Sequence, residues 1–111
     1  MLEKLIDRTF ATRDESHIAH WKTDSGFHHE ALGEFYEELI EVLDKFVECH
    51  SGAVSTVDRP MPDIVKKLET EMVWLNQNRE KLAQDIPALE NILDEMTGVY
   101  MRTLFKLKSM R

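Results

Sequence analysis

Cys49 is the only cysteine in this sequence, so no intrachain disulfide can form and no paired-cysteine motif exists. A lone thiol fits a reducing compartment, which makes a cytoplasmic chain the expectation. Beside His50 it reads either as half of a ligand pair or as a small bystander at a segment end. Glycine (4) and proline (3) are scarce, and few turns over 111 residues mean few, long elements. No Gly-rich phosphate loop and no nucleophile elbow occurs, which excludes the commonest phosphate-binding and acyl-transfer signatures. No apolar run reaches the roughly 18 residues that a membrane helix needs. The opening MLEKLIDRTF is amphipathic and acidic in part, unlike a signal-peptide core. Positive charge is also short: 14 Lys and Arg stand against 21 Asp and Glu, a net charge of -7. That balance disfavours nucleic acid, whose binding needs a basic surface to displace counterions. Arg102, Lys106, Lys108 and Arg111 are more simply read as complementing a helix C-terminus.

What remains is helical pattern. The chain is 42% hydrophobic and 32% charged, and its length predicts a single domain, residues 1–111, able to bury roughly 60–70% of its unfolded surface. Leu2, Leu5, Ile6, Phe10, His17 and Trp21 recur at helical spacing over 2–22. Arg13 falls on that apolar side, so a bend or restart is expected near Thr12–Asp14. Thr23-Asp24-Ser25-Gly26 combines capping side chains with a glycine, a break short enough to make its flanking helices antiparallel neighbours. Leu32, Phe35/Tyr36, Leu39, Leu43 and Phe46/Val47 give one apolar stripe over 27–50. Gly33, inside that helix, either permits close approach of a partner helix or is neutral. Residues 51–60 form the one real linker, with Gly52 as the expected residue after the helix end. Helices are predicted over 61–84, with Pro62 and Asp63 in the first turn, and over 86–110, with Asp85 as cap. Gln77-Asn78-Arg79 is a polar patch where the third apolar face weakens. No strand pattern or internal repeat is visible, so the fold expected is an all-α antiparallel four-helix bundle with a longer connection between helices two and three.

Candidate chemistry concentrates in His17–Glu48, which holds four of the five histidines. On a helical wheel Glu37 lies about 20° from Asp44, Glu48 about 40°, and His29 about 60° to the other side. These side chains share the border between polar and apolar faces. Asp44 and Glu48, on successive turns, can hold a cation between them, and imidazole with carboxylate suits iron, zinc or manganese. The plain alternatives are a solvated acidic face and hydrogen-bonded core histidines. The third and fourth helical segments contain no histidine, so a metal site must come from the first two segments or from two copies of them.

His20-Trp21, a short polar loop, His29-Glu30, then Asp44 and Glu48 resemble the signature of the Dps-like miniferritins. The resemblance implies a ferritin-like bundle, a homodimer or higher homo-oligomer, and a ferroxidase-like iron site between subunits. Its ligands would be His20, His29, Asp44 and Glu48, with Glu48 bridging. Miniferritins carry a further acid four residues after the second histidine, where this chain has Gly33. The chain also resembles, more closely, an uncharacterised family of small tailed-phage proteins, through the His-Trp-x-Thr run and HEALGEFYEELIEVLDKFVE. That likeness by itself implies little function. The alternative expectation is a non-catalytic helical structural or host-interaction protein of a phage on a ferritin-like scaffold, with a phage or host protein as partner and the host cytoplasm or the virion as its place.

Overall fold

The computed structural model describes residues 1–50 and 57–110. Every regular element among them is helical: α1 (Leu2–Lys22), α2 (Gly26–Cys49), α3 (Ile64–Gln77), α4 (Arg79–Ala83) and α5 (Pro87–Ser109). They group into two compact units, Met1–Pro60 and Met61–Arg111, each a helical hairpin. None of these helices is long and apolar enough to cross a membrane.

In the first unit, α1 runs unbroken through Thr12–Asp14. The expected bend is absent because Arg13 is accommodated: its guanidinium carbon lies 5.5 Å from the centre of the Tyr36 ring on α2. Ser25 caps α2, its Oγ accepting from the His28 N–H at 3.2 Å. The Thr23 hydroxyl accepts from the Ser25 N–H, which holds the turn. Helix two therefore starts at Gly26, one residue before its expected start, and ends at Cys49. The expected role of Gly52 lies outside the described residues.

The single apolar stripe expected on α2 divides into two faces. Tyr36, Ile40, Leu43 and Val47 turn towards α1, where Leu43 and Ile6 are buried. Phe35, Val42 and Phe46 point elsewhere and are 44, 60 and 50% exposed. At the open end of the hairpin, residues 58–59 are tied to α1. The Asp58 N–H donates to Glu3 at 2.8 Å, and Arg59 donates through Nε to Glu3 and through Nη2 to Asp7. Its bond to Glu3 comes first among the causes that raise the Arg59 pKa.

In the second unit, the helix predicted over 61–84 is instead two helices. Asp63 precedes α3 as its cap, accepting from the Lys66 N–H at 3.1 Å. The chain kinks at Asn78 (φ -107, ψ 8), within the polar patch, and resumes as the short α4. Arg79 at that kink ties to α5 through Asp94, at 2.8 Å, and the Glu90 carbonyl. Gln84 and Asp85 both take positive φ (52° and 58°), so Asp85 belongs to the turn and Ile86 occupies the cap position expected for it. Ala83 and Leu104 are the buried apolar residues of this hairpin.

Candidate functional site

The turn end of the first hairpin carries an array of rings. The His20 and His29 imidazoles stack at 3.7 Å between centroids, 17° from parallel. Each closes a bond to the other's helix: His20 Nδ1–H donates to the His29 carbonyl at 2.5 Å, and His29 Nδ1–H donates to the His20 carbonyl at 2.7 Å. A carbonyl can only accept, so both Nδ1 atoms carry protons, and in the neutral ring the lone pair sits on Nε2. The His20 ring reaches this position because α2 has no side chain there. A Cβ built on Gly33 would sit 3.1 Å from His20 Cε1 and 3.4 Å from its Nδ1. Gly33 thus serves close approach, the first of its two sequence readings.

His17 extends the array. Its ring lies 4.3 Å from Trp21 and stacks on Tyr36 at 4.1 Å. Tyr36 also meets His20 edge-on at 5.5 Å. Together with Arg13, Glu37, Ile40 and Glu41, His17 and Tyr36 line an open groove of about 520 Å³. Sequence reasoning had not marked Arg13 or Tyr36 as part of this cluster. The available signal was a charged residue on an apolar stripe, which needs an aromatic or acidic partner to be tolerated there.

The carboxylates stand at the other end. Asp44 and Glu48 border a cavity of about 240 Å³ whose walls include Ile6, Phe10, Leu43 and Val47. Fifteen residues separate Asp44 from His29, about 22 Å along the helix axis. Among the described residues of one chain, no three His, Cys, Asp or Glu side chains gather as a metal would need. The stacked rings do not fit a shared ion either. Each Nε2 lone pair lies in its own ring plane, and nearly parallel stacked planes do not meet nearby, so the two cannot converge on one centre at the roughly 2.1 Å that a metal–imidazole bond requires. Within one chain the histidines and the carboxylates stand apart, so ions held by both sets would draw them from different copies.

The family model for a "Family of unknown function (DUF5856)" matches residues 20–107. The chain belongs to that family. The DUF5856 span begins at His20, near the end of α1, and runs through α2, α3 and α4 to Leu107 in α5. The chain is also 27% identical over 96 residues to an uncharacterised 14.6 kDa protein of the mobD-ri intergenic region of Enterobacteria phage T4, a match covering 82% of this chain and 75% of that protein. No solved structure matches. The phage resemblance read from the sequence is borne out by that relative.

Proposed function

We propose that this DUF5856 chain is a non-catalytic helical assembly protein of a phage, acting through protein contacts along an apolar helix face. The observation that carries the reading is the outer face of α2. Phe35, Val42 and Phe46, with half-buried Leu39 between them, run along that helix and are left 44, 60 and 50% exposed. Contiguous exposed apolar surface of this kind marks an interaction site. The histidines fit the same reading, since their bonds to main-chain carbonyls staple α1 to α2 and hold the face rigid.

The test is the triple variant Phe35→Ser/Val42→Ser/Phe46→Ser. It should keep its helicity and melting temperature while losing association with itself or with a partner. A large fall in melting temperature would mean that the face is core, and would overturn the reading.

One observation favours a second reading, a ferritin-like iron protein with a ferroxidase-like site at a dimer interface. A metal-bound histidine usually donates its other ring N–H to a carbonyl or carboxylate. His20 and His29 are held in that tautomer. On this reading each copy would contribute the histidines of one end and Asp44 and Glu48 of the other, completing the shell from two subunits within a four-helix bundle. Bound iron would supply redox chemistry, and zinc or manganese would suit the same donors. Fe(II), Mn(II) or Zn(II) should then raise the melting temperature by mass action, and Asp44→Ala should abolish the gain. No shift with any of the three removes this reading.

A further inference from the structure

Resting on the assembly reading, we propose that the outer face of α2 docks antiparallel on the same face of a second copy, with Glu38 set against the partner's Lys45. Phe35, Leu39, Val42 and Phe46 are spaced 4-3-4, the repeat of a coiled-coil seam. They lie about 100° around α2 from the Tyr36/Ile40/Leu43/Val47 face that α1 covers. A shallow hollow between Phe35, Glu38, Leu39 and Val42 gives that face the relief into which a knob can pack. One flank of the seam is taken by α1. The other is open and carries two charges of opposite sign, Glu38 and Lys45, seven residues apart and therefore within about 20° of each other on the helix.

Opposite charges one heptad apart on a single flank select the partner and its direction. In an antiparallel pair, Phe35 faces the partner's Phe46 and Leu39 faces the partner's Val42. Glu38 then meets the partner's Lys45, and by symmetry Lys45 meets the partner's Glu38. A parallel pair would set the Glu38/Lys45 flank against the partner's Tyr36/Leu43 flank, which α1 covers, and satisfy neither charge. Sliding the antiparallel pair by one heptad sets Glu38 against the partner's Glu38 and Phe46 against the partner's His28. The unshifted antiparallel register alone answers both the apolar spacing and the charges.

The experiment is sedimentation equilibrium on the full chain and on four preparations: Glu38→Lys, Lys45→Glu, the double swap, and an equimolar mixture of the two single variants. Circular dichroism confirms that each is folded, since both positions are exposed. Wild type should be a dimer. Each single variant turns two attractive pairs into two repulsive ones and should weaken the dimer roughly tenfold. The double swap should restore it, and so should the mixture, in which every cross pair is again opposite in charge. Single variants that dimerise like wild type overturn the register, as does a mixture that stays monomeric. A dimer seen only with added Zn(II) or Fe(II) and lost in Asp44→Ala overturns it in favour of pairing through the opposite edge of α2, which carries Asp44. A monomeric wild type overturns self-pairing. Assembly on a different partner then survives if the triple serine variant is as stable as wild type, and falls with it if that variant melts early.

Discussion

Gly33→Ala should destabilise this protein, although alanine is the better helix former. Inside a helix the change is worth about 1 kcal/mol in alanine's favour. Here the new methyl would sit 3.1 Å from His20 Cε1, closer than carbon atoms pack comfortably. The ring has little freedom to give way. His20 Nδ1 is bonded to the His29 carbonyl at 2.5 Å, His29 closes the reciprocal bond at 2.7 Å, and the two rings stack at 3.7 Å. Displacing His20 forfeits much of two hydrogen bonds, each worth about 1 kcal/mol net, and part of the stack. A loss of about 2 kcal/mol against a gain of about 1 leaves a net destabilisation of about 1 kcal/mol. In a His20→Ala background the obstruction is gone, and the same Gly33→Ala change should stabilise by about 1 kcal/mol. The sign reverses, and the cycle gives a coupling near 2 kcal/mol. Urea unfolding reads it, with Trp74 replaced by Phe so that Trp21 alone reports the first hairpin. A stabilising Gly33→Ala in the wild-type background, or equal effects in both backgrounds, would refute the idea that the glycine exists to admit the ring.

Three further outcomes follow from the same contacts. Ser25→Ala removes the cap that accepts from the His28 N–H and should cost about 1 kcal/mol by the same unfolding assay, whereas Asp24→Ala, which caps nothing, should cost less. Arg59→Gln breaks the ties to Glu3 and Asp7, but these groups are exposed, so melting should shift only slightly and the shift should shrink at high salt. Lys67 is raised by its bond to Glu71, so that pair contributes in full below the ordinary lysine value of 10.5 and is lost as pH rises past it. Lys67→Gln should therefore leave the profile of stability between pH 7 and pH 9 unchanged, and a new slope in that window would contradict the assignment.

Much of the fold was legible because helical periodicity and capping are local. Ser25 sits in a capping tetrad beside a glycine, and the hairpin it predicts is present. The third helix was misread because its apolar spacing carries past Gln77. What breaks it is the kink at Asn78 and the anchoring of Arg79 by Asp94 on another helix, a contact that spacing along one segment cannot reveal. Asp85 looked like a cap by residue type, yet Gln84 and Asp85 take left-handed conformations and pass that position to Ile86. In the candidate site, the wheel set His29, Asp44 and Glu48 on one edge of α2. A wheel discards distance along the axis, and that distance is what separates the ring array from the carboxylates within one chain. Arg13 was read as a flaw in the apolar stripe. Its place over the Tyr36 ring turns that flaw into a contact between α1 and α2.

Angle around the axis separates the two proposals for α2. Asp44 lies about 170° around the helix from the centre of the Phe35/Leu39/Val42/Phe46 seam, and Glu48 about 150°. The carboxylates therefore stand on the far side of α2 from that seam, beside Ile6 and Phe10 of α1. No sliding of one seam along another brings them to a partner's histidines. Metal ligation between copies would use a different face of the hairpin from the Glu38–Lys45 pairs, so the two associations are independent. Glu38→Lys, which weakens the seam, should leave unchanged the metal concentration at which any metal-dependent rise in melting temperature appears. If Glu38→Lys moves that concentration, the two sites share a face and the angular argument fails.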